Sequence, residues 1–293
     1  MKKYICLPFV ILIIFFHANA QQGEVEKVKD LPVRAPFASG ILIDNQTNLI
    51  PVEGTLEMLI QHRFNNMDNG ISDLWGIYSP GGNIRIGFNY SILNSLMVGY
   101  GLTMNKMYSD FQVKWNVVQQ TRKNTIPVAV TLYGNMAVDG RNDEVFGEAY
   151  KFTNRMSYFS QLIIGRKFNE WLSLQATGSF THYNSVDPDL DHDKIGVGFN
   201  GRARVSPQGA IIFQYDAPLK VKAITEQHNF NNPPKPNFGI GYEIATSTHA
   251  FHIFVSSANG IIPQEIYMYN RKDWRDGAEG LAFGFTITRL WSF

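Results

Sequence analysis

The chain has 293 residues, with 26 Lys and Arg, 25 Asp and Glu, and one cysteine. Charged residues make up 17% against roughly 25% in ordinary soluble chains, aromatics reach 13%, and the 44% apolar content excludes wholesale disorder. A net charge of +1 excludes a basic surface built for nucleic acid.

Met1-Lys2-Lys3, the apolar run Ile5 to Phe16 and the small-x-small end His17-Ala18-Asn19-Ala20 read as a secretory signal peptide over residues 1–20. The apolar run is too short to span a bilayer comfortably. Cys6 precedes that run, so it is not placed as a lipidated cysteine, and cleavage after Ala20 removes the only thiol. Loss of Lys2 and Lys3 leaves 24 basic side chains against 25 acidic ones. The rest of the chain has no apolar stretch near about 18 residues, which excludes helical membrane spans.

Residues 21–52 show no sustained period and carry Pro32, Pro36 and Pro51. They are expected to form an irregular N-terminal periplasmic segment, with a short strand at Ile41–Asp44. From Glu53 the period becomes two, which places alternate side chains on opposite faces of a sheet. The apolar phases run from Leu56 to Phe64, Ile84 to Ile92, Leu96 to Met104, Phe111 to Val117, Ile126 to Met136 and Met156 to Ile164. They continue from Leu172 to Phe180, Ile195 to Val205, Ile211 to Tyr215, Phe238 to Ile244, Phe251 to Val255 and Phe283 to Phe293. Twelve is an even number, as closed bacterial barrels require.

The opposite phase is polar: Ser173, Gln175, Thr177, Ser179 and Thr181 in one strand, and Arg85, Gly87, Asn89 and Ser91 in another. A soluble sandwich also alternates. What separates the two is the connections, which alternate between long loops and tight turns and so give a barrel one ragged rim and one neat one. The predicted fold is an all-β, antiparallel transmembrane β-barrel of about twelve strands over residues 53–293. Its expected location is the outer membrane, with both termini periplasmic. Phe283 to Phe293 alternates and ends on an aromatic, which resembles the terminal-strand signal offered to the barrel insertion machinery through Phe293. Arg289 interrupts its apolar phase close to the periplasmic end, where it can snorkel. Trp171, Trp291, Phe168 and Phe293 are expected in an aromatic girdle at that rim.

Arg34-Ala35-Pro36-Phe37, Gly40-Ile41-Leu42-Ile43-Asp44-Asn45-Gln46-Thr47, Gln61-His62-Arg63-Phe64 and Val130-Thr131-Leu132-Tyr133-Gly134-Asn135 carry a family resemblance. So do Tyr158-Phe159-Ser160-Gln161, Asn232-Pro233-Pro234-Lys235-Pro236-Asn237 and Thr246-Ser247-Thr248-His249-Ala250-Phe251. Over nearly the whole chain after the signal, the sequence resembles a Bacteroidetes family of outer-membrane β-barrels, a DUF5777-like domain of unknown function. The resemblance implies the barrel fold and brings neither a substrate nor an active site.

Candidate lumen-lining residues are Arg85, Lys114, Arg155, Arg202, Arg204, Glu57 and Glu243. With Arg63, Lys194 and Asp216 the polar phase holds seven basic side chains against three acidic ones, which favours anions slightly if the lumen is water-filled. The alternative is that these charges pair across the lumen and fill it. Asp187, Asp189 and Asp191 are weak calcium candidates, but His192 and Gly198 stand where an EF-hand needs Gly and Glu. The simpler reading is a solvated acidic loop facing lipid and lipopolysaccharide. His182 beside Ser185 and the Asp cluster is the one arrangement pointing to an outer-rim hydrolase of lipase or protease type. No catalytic residue or cofactor is assigned. The expected function is a passive channel or binding barrel for small solutes, with an occluded structural or partner-binding barrel as the alternative.

Overall fold

The twelve periodic segments become twelve antiparallel strands, each paired with its neighbours in sequence, and the last closes on the first. They are β1 (Thr55–Asn66), β2 (Asn83–Leu93), β3 (Leu96–Thr103), β4 (Ser109–Val118), β5 (Ala129–Val138), β6 (Met156–Lys167), β7 (Leu172–Tyr183), β8 (Asp193–Arg204), β9 (Gly209–Leu219), β10 (Asn237–Ala245), β11 (His249–Ser256) and β12 (Ala282–Ser292). This computed structural model describes residues 30–187, 190–221 and 233–293; the expected signal peptide, residues 21–29 and Asp189 lie outside the described residues. The seam runs from Thr55 opposite Ser292 to Arg63 opposite Gly284, so the sheet has no free edge. Closure matters because an unpaired backbone N–H or C=O in hydrocarbon costs several kcal/mol.

Burial along the strands is inverted relative to a soluble sheet. On β2, Phe88 is 46% exposed while Asn89 beside it is 3% exposed. The outward phases carry Phe111, Val113 and Trp115 on β4, Leu162 and Ile164 on β6, and Val197 and Phe199 on β8, all exposed. In water such a continuous apolar band would drive aggregation. In lipid it is the face the solvent demands, so the chain is a transmembrane barrel. Arg289 stacks over Trp291 at 5.4 Å, next to the rim where Phe168, Trp171 and Phe293 are exposed.

Strand boundaries depart from the periodicity most at β9, which runs on past Tyr215 to Leu219, and at β5, which begins at Ala129 rather than Ile126. A turn takes the earlier residues: Ile126 N donates to Thr121 Oγ1 at 3.0 Å, and Thr121 N donates back to Ile126 O at 3.0 Å. Thr121 also bridges to Pro32, which ties the N-terminal segment to the short-turn rim.

The described part of that segment, residues 30–52, forms no strand, and its residues 37–50 do not remain outside the barrel. They are almost all buried within it, and the expected strand at Ile41–Asp44 does not form. A hairpin-like plug forms instead: Ile41 bridges Gln46, Leu42 N donates to Asn45 O at 2.9 Å, and Thr47 N donates to Gly40 O at 2.9 Å. The physical reason is diameter. Wall side chains fill a barrel of about eight strands, and a wider one holds water or additional chain. The β11–β12 connection contributes a second insertion from the long-loop rim, with a short helix α1 (Pro263–Met268) whose residues Gln264 to Met268 are buried.

Leucine 162 lies on the outward phase near the middle of β6. Leu162→Arg is expected to destabilise the barrel by about 2–4 kcal/mol in denaturant titrations from lipid vesicles, and the same change at the rim residue Phe168 by about 0–1 kcal/mol.

Candidate functional site in the closed lumen

The plug is held at its tip by charge. Arg63 on β1 pairs with Asp44, and both side chains are essentially fully buried. The guanidinium also lies 4.2 Å from the ring centroid of Phe254. The remaining capacity of the Asp44 carboxylate is taken up by Gln214 Nε2 at 2.5 Å, Asn237 Nδ2 at 2.9 Å and Ser256 Oγ at 3.2 Å. Asn45 turns the other way and donates to both oxygens of Asp216 at 2.8 Å. Lower in the hairpin, Lys114 Nζ donates to Gly40 O at 2.7 Å and Gln175 Nε2 to Gln46 O at 2.6 Å. An apolar cluster of Phe37, Leu42 and Ile43 with the wall residues Ile212 and Phe254 completes the seat.

The second insertion reaches the same carboxylate. Tyr267 of α1 donates its hydroxyl to Asp216 Oδ1 at 3.1 Å, so Asp216 joins both inserts to the wall. The ring passes over Gly196, where any Cβ would collide with it. Gln264 donates to Asn135 at 2.8 Å, and Ile266 and Tyr267 pack on Tyr133, Phe159 and Ile163. Between the inserts remains a cavity of about 20 Å³ bounded by Asp44, Asn45, Gln61, Arg85, Asp110 and Tyr267, room for a single water and no solute.

The candidate residues sort into two groups. Arg85 is buried in a bidentate pair with Asp110, Nε to Oδ2 at 2.8 Å and Nη2 to Oδ1 at 2.7 Å. Its side chain lies across Gly101, where no Cβ would fit. Glu57 accepts from Asn89 at 2.7 Å, with the Lys114 ammonium close by. Arg202 pairs with Glu243 at 2.5 Å, and His252 lies 3.0 Å from the other Glu243 oxygen. Arg155 and Arg204 are elsewhere, which corrects their placement in the lumen. Arg155 ends a 3-10 turn in the β5–β6 loop, bonded to Tyr150 at 2.6 Å, and Arg204 is exposed at the short-turn rim, bonded to Ser206 O at 3.1 Å. Arg155 precedes the first residue of β6 and Arg204 is the last of β8, so the alternation runs past the enclosed part of each strand and phase alone misplaces them.

Asp44 and Asp110 were not among the expected charges, and they alter the balance inside. Among the described residues the enclosed basic side chains of the wall are Arg63, Arg85, Lys114, Lys194 and Arg202, facing Glu57, Asp110, Asp216 and Glu243 of the wall, Asp44 of the hairpin and Glu265 of α1. Asp110 was legible, since it belongs to the polar phase ahead of Phe111. Asp44-Asn45 ending an apolar tetrapeptide is a turn signal, but nothing in it says where the turn docks.

At the long-loop rim His182 Nδ1 meets Asp193 Oδ1 at 2.6 Å and its Nε2 meets Asn184 Oδ1 at 3.0 Å. Both ring nitrogens are thus engaged by side-chain oxygens other than that of Ser185. Among the described residues no group of three acidic, His or Cys side chains is arranged to share a metal ion, and of the candidates Asp187 and Asp191 are described while Asp189 is not. Lys106 reaches inward from the β3–β4 loop to Glu265 of α1 at 3.4 Å. Burial pushes the Glu265 carboxyl above the usual carboxylate range, and Lys106 draws it back. Lys106 and Met107 both hold left-handed backbone, with φ of 53° and 49°, an arrangement that costs on the order of 1–3 kcal/mol per non-glycine residue.

Removing one member of a buried ion pair costs about 3–5 kcal/mol because the other is left uncompensated. Asp44→Ala is therefore expected to release the hairpin: the Leu42 and Thr47 amides should lose hydrogen-exchange protection while β1 and β9 amides keep theirs.

The family described as "Membrane bound beta barrel domain (DUF5777)" matches residues 37–291. No curated protein matches the chain. Among solved structures, a NanC porin is similar at 7% identity and a TM-score of 0.49, covering 81% of this chain and 99% of that one. A KdgM porin is similar at 7% identity and a TM-score of 0.46, covering 82% and 99%. An outer membrane channel from Pseudomonas putida F1 is similar at 11% identity and a TM-score of 0.47, covering 83% and 97%. These likenesses concern the barrel and assign no solute to this chain. A family match spanning the hairpin plug and all twelve strands settles the lineage: the chain belongs to the membrane bound beta barrel domain family (DUF5777).

Proposed function

We propose that this protein is a gated outer-membrane passage for small solutes, shut by the hairpin at residues 37–50 and by α1, with the short-turn rim and both termini facing the periplasm. The observation that carries this reading is the way the hairpin is seated. Arg63, Lys114, Gln175, Gln214 and Asn237 hold it through side-chain hydrogen bonds and one ion pair, all groups that water can satisfy once the hairpin leaves. The wall has hydrogen-bonding capacity beyond what the inserts use: both side-chain polar atoms of Asn200, and the hydroxyls of Thr181 and Thr286, have no protein partner among the described residues. A wall of this kind is wettable, so displacement of the inserts would leave an aqueous path.

The slight anion preference belongs to the open state. With the hairpin displaced, Asp44 departs and Arg63 loses its partner, so the five basic wall residues face Glu57, Asp110, Asp216 and Glu243. A net basic lining favours anions modestly. The competing reading is a permanently occluded barrel. It is favoured by the apolar seat of Phe37, Leu42 and Ile43 on Ile212 and Phe254, which resists removal into water.

Single-channel recording of the full chain in a planar bilayer under a salt gradient separates the two. The wild type should show rare, brief openings. An Asp44→Ala/Asn45→Ala variant should raise open probability about ten-fold or more, since each lost buried polar partner costs on the order of 1–3 kcal/mol, with a reversal potential favouring anions. A variant that is silent yet still shows the gel shift of a folded barrel would sustain the occluded reading instead.

A further inference from the structure

The plug and its seat leave one constructed feature unused. The β3–β4 connection is the shortest on the long-loop rim, yet its Lys106 and Met107 are both left-handed, a conformation normally left to Gly, Asn or Asp. That backbone turns Lys106 inward, with Nζ 4.2 Å from the ring centroid of Tyr269, 5.8 Å from that of Tyr108 and 3.4 Å from Glu265 Oε1. Tyr183 meets Tyr269 edge-on at 5.1 Å and holds that ring in place. Aromatic faces around a single carboxylate are the elements that recognise an ammonium group.

Two details distinguish a binding site from a structural ion pair. Glu265 Oε2 is buried and has no hydrogen-bond partner among the described residues, so the lysine uses only half of the carboxylate. The Lys106 side chain is also 22% exposed, whereas Tyr108 is 2% exposed, Glu265 5% and Tyr269 partly buried, so the lysine stands at the mouth of the cage beside the Tyr269 ring. A structural pair would not need an idle carboxylate oxygen. An ammonium carries three donors on one nitrogen and can engage both.

We propose that Tyr108, Tyr269 and Glu265 form a binding site for a solute bearing an alkylammonium group, which arrives from the long-loop side and displaces Lys106. Lys106 is the tethered stand-in that occupies the cage in the solute's absence. The site is reached from the long-loop rim with the lumen closed, and it needs only that α1 stays in place.

The test uses the full chain, refolded in detergent and verified by its heat-dependent gel shift, with n-butylammonium as probe and 1-butanol as its neutral counterpart. Binding is read from tyrosine fluorescence and near-ultraviolet circular dichroism at constant ionic strength. A tethered competitor acts at an effective concentration on the order of millimolar, so Lys106→Ala should bind n-butylammonium about ten-fold or more tightly than the wild type. Adding Glu265→Gln should abolish that gain, and 1-butanol should not bind saturably. Absence of saturable binding to folded Lys106→Ala, equal binding by the wild type, or equal binding of 1-butanol would each overturn the proposal. A second measurement needs no variant: trimethylammonium, which keeps an N–H donor and forms no stable amide, should raise the acetylation rate of Lys106 in the wild-type chain saturably. An unchanged rate would overturn the displacement.

Discussion

The closed state turns on the pairing of Arg63 with Asp44. A guanidinium with no exposure needs a counter-charge, and here the carboxylate comes from a segment that precedes the first strand. One ion pair thereby converts a loose N-terminal stretch into the centre of the lumen. Its surroundings meet the condition under which a buried pair is tolerated, because Gln214, Asn237 and Ser256 satisfy the rest of the carboxylate.

The outer surface obeys a different constraint. Lipid rewards an apolar face and offers no hydrogen bonds, so the strands close into a ring and expose Phe88, Val113, Leu162 and Phe199. Closure at twelve strands then creates an interior wider than wall side chains can fill. The hairpin enters from one rim and α1 from the other, and Asp216 is the carboxylate at which they meet. Inward glycines such as Gly101 and Gly196 make the space for what is folded in: Arg85 occupies the first and Tyr267 the second.

The two inserts differ in how they are attached. The hairpin is bonded mostly to the wall, whereas α1 is tied both to the wall and, through Glu265, to the strained β3–β4 connection. Strain in two consecutive residues persists only where surrounding contacts over-determine it, and here those contacts include the Gly140 amide donating to Lys106 O at 3.0 Å, the Glu265 carboxylate and the tyrosine rings. The lumen is consequently filled from one rim by a polar seat and from the other by a cluster of aromatic rings.

Period-two alternation, a polar inward phase and long loops on one rim were legible residue by residue, and they sufficed for twelve strands and for which side of each faces lipid. They suffice because side-chain direction in a strand is local: it follows from parity along the chain. The placement of Arg85, Lys114, Glu57 and Glu243 inside is the same local rule, and Arg155 and Arg204 escaped it because parity does not say where a strand leaves the membrane. What parity cannot contain is partnership. That Asp44 answers Arg63, that Asp110 answers Arg85, and that Lys106 lies among Tyr108, Tyr269 and Glu265 depends on segments distant in sequence being brought to one point. The sequence by itself determined a membrane barrel with a polar lining; only the tertiary structure decided that the lining is covered, because a charge in a closed lumen is defined by whichever group reaches it.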